Sequence, residues 1–325
     1  MKLSDLRDSL DEEVSTILSA AFTIDVTETT TVPHSGDAAI TFPNLDGKRQ
    51  SCKLIDTCVL YIDIRRSTDL SLRLRPKTVT KLYSAFVRSM TRCARQCEGH
   101  VRGIIGDRVM VLFDQEDAFG HAVDCAILMH STAKYIINKH FKSGEVTCGI
   151  GIDSGKMLVT KTGIRKNGLD LQNYRNLVWL GKPANIASKL TDVANKPMES
   201  MTLDKVRFAR QLPGTTNTDG WYWSEEYPQE FVKRLGDESW PTYLIKHKDP
   251  SYRAFYMTTE FHVIRESTPP ILMSERVWKG LSAAHPTDDR VTKGWFAAIK
   301  VELPGGSQTV YGGNVIKTVF EPTKA

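Results

Sequence analysis

The chain has 325 residues, 25% of them charged and 41% hydrophobic, with 22 Gly and 14 Pro. Those proportions describe a soluble globular protein and exclude collagen-like, mucin-like and largely disordered chains. Basic residues exceed acidic ones by five, a surplus that suits an anionic substrate and is too small to demand a nucleic-acid partner, so none is expected. No run approaches the roughly 18–20 apolar residues of a membrane span, and Met1 to Leu6 lack the basic-then-apolar pattern of an export signal. The six cysteines offer no zinc spacing, Cys93 and Cys97 being the only close pair. They read as reduced thiols of a cytoplasmic protein with no membrane partner.

Four regions follow in chain order: 1–50, an opening helix and lead-in; 51–195, the core; 196–268, an insertion; and 269–325, the completion of the core. Leu6, Leu10, Val14 and Leu18 recur at helical spacing behind Ser4 or Asp5 as a cap. The Thr-rich stretch Thr23 to Thr31 reads as an edge strand, an arm or a poorly ordered extension. Cys58 to Ile64 is a β-rich apolar run that ends by delivering a carboxylate, Asp63. Behind Pro76 a helix places Leu82, Phe86, Met90 and Cys93/Ala94 on one face and ends near Gly99. His100 to Ile105 and Val109 to Phe113 are predicted as a hairpin turning at Gly106-Asp107-Arg108. A second helix buries Ala118, Ala122, Cys125, Met129 and Ala133, and Val146 to Ile152 is a strand entering a turn at Asp153-Ser154-Gly155.

Leu177 to Gly181 is a further strand feeding a helix from Pro183 to Val193. Trp221, Trp223, Trp240, Tyr222, Tyr227 and Tyr243 then concentrate in the insertion, whose aromatics suit packing or an interface. Ile271 to Trp278 restores regular periodicity, and a closing strand is placed at Thr309 to Phe320. The succession β-α-β-β-α-β predicts an α+β fold, a mainly antiparallel sheet with helices packed on it.

Asp63 at a strand end and Asp107 in a tight turn are uncomfortable as lone carboxylates. Side by side they would repel unless a divalent cation lay between them, and Mg²⁺ is commonly held by one or two carboxylates plus substrate phosphate oxygens. Taken singly, Asp107 is also a favoured turn residue and Asp63 a helix cap or surface acid. Ile64 to Thr68 opens the next helix, where backbone N–H groups with the Ser67 and Thr68 hydroxyls could receive a triphosphate or serve as an ordinary cap.

The chain resembles the class III nucleotide cyclases, the family of adenylate and guanylate cyclases. The matching segments are Tyr61-Ile62-Asp63-Ile64 with Ser67-Thr68, Gly106-Asp107 before an apolar strand, Gly149 to Gly155, and Gly181 to Leu190. Ile271 to Ser274 resembles the strand that follows. The resemblance implies a ferredoxin-like cyclase domain and a head-to-tail homodimer with shared active sites. It implies two Mn²⁺ or Mg²⁺ ions per site, on Asp63, Asp107 and the Ile64 carbonyl. It also implies Asn185 of the other subunit as the residue that orients the ribose, and attack of the 3′-hydroxyl on the α-phosphate.

The sequence departs from the family at three places. Lys189 stands where purine cyclases carry a transition-state arginine, keeping the charge without the bidentate fork, so Arg65, Arg66 or Arg108 could assist. Gly103 and Val178 stand at the adenine-reading positions and offer no side-chain hydrogen bond. Tyr61 and Arg102 remain to meet a base, or serve as a core aromatic and a surface strand residue. A donor-only arginine leans towards uracil, whose N3–H is flanked by two carbonyls, over cytosine.

This combination resembles the bacterial pyrimidine cyclases of anti-phage signalling, which implies UTP or CTP as substrate and a separate effector protein that reads the cyclic product. A uridylate cyclase is the expectation, with a cytidylate cyclase next. Behind these stand an adenylate cyclase read by Thr160 or Asn176, and an inactive cyclase-fold dimerisation module.

Overall fold

The computed structural model describes residues 2–141, 146–162, 165–166, 169–170, 176–203, 205–237, 245–257 and 261–322. Two compact units divide the chain, Met1–Lys196 with Thr268–Ala325, and Pro197–Ser267.

In the first unit α1 (Leu3–Leu18) and β1 (Thr23–Glu28) lead into β2 (Arg49–Ile64), α2 (Ser67–Arg73) and α3 (Pro76–Gln96). Next come β3 (Gly99–Ile105), β4 (Arg108–Phe113), α4 (Ala118–Ser131) and β5 (Cys148–Thr162). β6 (Asn176–Leu180), α5 (Lys182–Val193), β7 (Ile271–Ser274), α6 (Glu275–Ala284), β8 (Ala297–Leu303) and β9 (Gly306–Gly313) complete it. The strands form one sheet in the order β8-β9-β7-β5-β2-β4-β3, with β1 beside the first half of β2 and β6 beside the second half of β5. Pairing is antiparallel except β1 with β2 and β7 with β5, so the mainly antiparallel α+β fold stands.

The apolar run of β2 is nearly continuous because both faces of this central strand are covered. Cys58, Leu60, Ile62 and Ile64 point one way, into a core with Leu82, Phe86 and Met90 of α3 and Ala122, Cys125 and Met129 of α4. Ile55 and Val59 point the other way, with Tyr61 packed beside them, into a second cluster that includes Ala184 and Ala187 of α5. α5 can lie so close because β5 carries glycines beneath it. A Cβ at Gly151 would stand 2.2 Å from the Ala187 carbonyl oxygen, and one at Gly149 2.7 Å from those of Thr191 and Ala194. The Gly-x-Gly spacing is therefore a packing requirement of the helix that carries Asn185 and Lys189.

Several expectations are corrected. The turn at Asp153-Ser154-Gly155 does not form, and β5 runs through it to Thr162. Gly155 keeps the strand going at φ +145°, with Arg276 donating to the Ser154 carbonyl at 2.6 Å. Arg65 and Arg66 stay outside the helix that was to open after Ile64, and α2 starts at Ser67 behind Arg66 at φ +55°. The closing strand ends at Gly313, and its tail includes a short 3₁₀ turn, Thr318–Phe320. β8 was missed altogether; it pairs with β9 across a two-residue turn, Pro304-Gly305. α1 forms, yet no residue on it is buried.

In the second unit, Val206–Gln211 is flanked by Trp221–Glu226 and Tyr252–Met257 in a three-stranded sheet. Phe208 and Phe231 pack there with centroids 5.8 Å apart, and His247 stacks on Tyr252 at 4.5 Å. Tyr222, Trp223 and Tyr227 remain exposed, while Trp240 and Tyr243 lie outside the described residues. Among the described residues no helix is long and apolar enough to cross a membrane.

Candidate active site

Alternation along β2 puts Tyr61 and Asp63 on the strand face opposite Leu60 and Ile62. Ile62 pairs with Val109 of β4, which sets the β3–β4 turn beside the end of β2. That turn has two residues, Gly106 and Asp107, between paired Ile105 and Arg108, and Gly106 adopts the left-handed φ of +62°. Asp107 is thereby folded back onto β2, buried, with Oδ2 accepting the Ile64 N–H at 3.1 Å. Burial first, then the charge of Asp63 and a hydrogen bond with it, push the Asp107 carboxyl up to about 6. The strand-end acid and the hairpin acid therefore meet.

Arg108 is held against this pair. Its Nη2 and Nε donate to Asp63 Oδ2 at 2.8 and 3.2 Å, Nη1 donates to Ser188 Oγ at 2.9 Å, and Nη2 also pairs with Asp192. Burial works against its charge, but the hydrogen bonds and charges of Asp63 and Asp192 outweigh it and hold the guanidinium above its ordinary pKa. Arg65 anchors the far end of α5, donating to the carbonyls of Thr191 at 2.7 Å and Asp192 at 3.0 Å. A cation among the last carbonyls of a helix also complements its dipole. Sequence reading named both arginines only as possible assistants and missed Ser188 and Asp192. Their i, i+4 spacing on a helix with a small-residue buried face was the available signal.

Asn185, Ser188, Lys189 and Asp192 share one face of α5 by their i, i+3, i+4 and i+7 spacing. Asn185 is exposed and Lys189 half-buried, and neither has a polar partner among the described residues. Ser67 and Thr68 occupy the first turn of α2.

Tyr61 lies opposite Met110 of β4, and its hydroxyl donates to Met110 Sδ at 2.9 Å. Burial raises its pKa. Gly103 is the next partner of Met110 across β3, so Tyr61, Met110 and Gly103 lie in one row of the sheet. Arg102 is the extra residue of a bulge between Val101 and Gly103. Its guanidinium donates to the carbonyls of Pro33 at 2.8 Å, Val101 at 3.2 Å and Val32 at 3.4 Å. Thr160 is buried against Gln50, whose Nε2 donates to it at 2.6 Å, and the Asn176 side chain lies outside the described residues.

Among the described residues no three of His, Cys, Asp and Glu cluster as a metal site of their own. Two carboxylates held together, one of them raised in pKa first by burial and then by the other, nevertheless suit a divalent cation that completes its shell with substrate oxygens.

Residues 50–210 match the family model described as the adenylate and guanylate cyclase catalytic domain. A uridylate cyclase of Burkholderia cepacia is 28% identical over 202 residues, covering 61% of this chain and 82% of that protein. One of Xanthomonas perforans is 33% identical over 149 residues, covering 43% of this chain and 60% of that protein. A cytidylate cyclase of Staphylococcus aureus is 30% identical over 135 residues, covering 38% of this chain and 32% of that protein.

Proposed function

Because the chain belongs to the class III nucleotide cyclases, we propose that it converts UTP to cyclic UMP and pyrophosphate. The observation that carries this reading is the meeting of Asp63 with Asp107, whose carboxyl is pushed up to about 6 by burial and by its neighbour. Similarity to proteins named uridylate cyclase supports the choice of base.

Asp63, Asp107 and the Ile64 carbonyl would hold Mg²⁺ or Mn²⁺, two ions per site. Bound there, the ions would supply positive charge to the triphosphate and lower the pKa of the ribose 3′-hydroxyl. The chain's own residues do the positioning. The first turn of α2, with Ser67 and Thr68, takes phosphate oxygens. Asn185 and Lys189 act from a second copy in a head-to-tail homodimer, Asn185 on the ribose and Lys189 on the charge that develops at phosphorus. The 3′-oxygen bonds to the α-phosphorus, the bond to the bridging oxygen breaks, pyrophosphate leaves and the hydroxyl proton passes to water. Alignment contributes much of the acceleration, because the attacking and leaving groups belong to one molecule.

For the base, Tyr61 supplies an aromatic face, and Gly103 leaves the row beyond Met110 without a purine-reading side chain. Arg102 holds residues 32–33 against β3, and a direct bond to uracil exchanges one of those carbonyls for the base. A cytidylate product is the second reading, favoured by the Staphylococcus aureus relative. A second-messenger role in antiviral defence, with an effector protein reading the product in the cytoplasm, rests on the resemblance to anti-phage cyclases.

Separate incubation of the purified chain with UTP, CTP, ATP and GTP in Mn²⁺, with products resolved by mass spectrometry, tests the assignment. Cyclic UMP is expected to dominate. Dominant cyclic AMP overturns the base assignment, and no cyclic product from any nucleotide overturns the activity.

A further inference from the structure

α3 carries Lys77, Lys81, Arg88, Arg92 and Arg95 and no acidic residue. The chain's whole surplus of basic over acidic residues is five, so outside this helix the two signs balance. All five side chains are exposed, and none has an ion-pair partner among the described residues. Their spacing, with Ser84 and Thr91, repeats at three, four and seven residues and therefore makes one straight stripe. From Lys77 to Arg95 it is about 27 Å long at 1.5 Å per residue. The opposite face holds Leu82, Phe86, Met90, Cys93 and Ala94.

We propose that this stripe binds the phosphate backbone of a nucleic-acid duplex. Unpaired like charges in a row repel one another, and a phosphate polymer is the partner that neutralises them in series. Ser84, Val87, Arg88, Thr91, Arg92 and Arg95 line a groove of about 560 Å³, where two hydroxyls stand among three guanidiniums as phosphate contacts use them. A lipid surface is the poorer match, since helices that lie on bilayers insert large apolar side chains beside their cations, and Val87 is the only aliphatic member of this groove. The stripe is also separate from the nucleotide site. α3 packs on the β2 face carrying Leu60, Ile62 and Ile64, away from Asp63, and its cations point outward from there.

The test is fluorescence anisotropy of the full chain with labelled 20-base-pair duplexes of DNA and of RNA, beside phosphatidylserine vesicles. Five phosphate contacts predict a slope of about −4.5 for log affinity against log salt, or roughly 500-fold weaker binding between about 50 and 200 mM. The triple variant Arg88→Ala/Arg92→Ala/Arg95→Ala is expected to lower the slope to about −1.8 while keeping its circular dichroism spectrum and cyclase turnover. Binding of either duplex in this manner supports the proposal and identifies the polymer. Three results overturn it: no duplex binding at low salt, triple-variant binding equal to that of the parent, or vesicles bound while both duplexes are ignored. The single variant Arg92→Glu replaces the triple should that one misfold, with the same two outcomes.

Discussion

On one side of β2, Leu60, Ile62 and Ile64 pack beneath α3 and α4 in a core of apolar side chains. On the other, Tyr61 packs against the cluster that includes Ala184 and Ala187 of α5, and Asp63 is tied to that helix by Arg108, which also holds Ser188 and Asp192. The first region is stabilised by the removal of apolar area from water, which is indifferent to direction. The second gathers charges that repel or clash unless each finds a partner, which is expensive for a fold to maintain without a use. Near its end, β2 thus places apolar side chains, Leu60, Ile62 and Ile64, on one face and the Asp63 carboxylate on the other.

A pair of substitutions separates the two faces. Asp63→Ala is expected to lower turnover by about 10³-fold, the scale of removing a group that organises transition-state charge, while the melting temperature stays close to the parent's. Arg108 retains Ser188 and Asp192 in that variant. Leu82→Ala, on the opposite face, is expected to destabilise the protein by about 3 kcal/mol through lost burial and a cavity, with turnover per folded molecule unchanged. Steady-state kinetics and denaturant unfolding of both variants check the contrast. Loss of stability in Asp63→Ala with turnover intact would sink the site.

The face built by burial was the legible one. Leu82, Phe86, Met90, Cys93 and Ala94, read from spacing alone, are the five buried residues of α3, because an amphipathic helix records its packing locally. Asp63 and Asp107 stood out as carboxylates in apolar surroundings, and the structure places them together. The Arg108 network was not legible, since its partners lie 45 and 84 residues away and no local pattern encodes that distance. Asp153-Ser154-Gly155 has turn composition yet runs as strand, because pairing with β2 continues through it and tertiary hydrogen bonding overrides propensity. The β8–β9 hairpin did carry a signal in Pro304-Gly305-Gly306, where both glycines have positive φ. α1 shows the opposite failure: its stripe is genuine, but no residue on it is buried among the described residues.

Acidity sharpens the contrast by an intermediate amount. With metal chelated, Asp107 binds its proton more tightly folded, at about 6, than at its ordinary value of 3.8. The native state therefore holds more protons than the unfolded state between those values, and stability rises as pH falls. The contribution is fully present below 3.8 and is lost as pH climbs through about 6. Thermal melts in chelator from pH 4.5 to 7.5 are expected to show this slope in the parent and a flatter one in Asp107→Asn, whose amide cannot ionise. Equal slopes would mean that the Asp107 carboxyl is not raised in the folded chain.

The smallest expected effect lies where the two kinds of construction overlap, at Arg102. Its two bonds to the Pro33 and Val32 carbonyls tie residues 32–33 to the bulge in β3, beside the row that contains Gly103 and Tyr61. Arg102→Ala forfeits that clamp, at about 1–3 kcal/mol for buried acceptors left unpaired. If the guanidinium also reaches the base, the preference for UTP over CTP falls by up to about tenfold, the value of one lost hydrogen bond. Arg102→Lys discriminates between the two uses, because a lysine ammonium keeps a donor for a base carbonyl but not the fork that spans neighbouring backbone oxygens. The expected result is a lower melting temperature in both variants, with the base preference partly kept in Arg102→Lys and reduced in Arg102→Ala. An unchanged UTP-to-CTP ratio in both, alongside the lost stability, would assign Arg102 to the scaffold and leave Tyr61 to read the base.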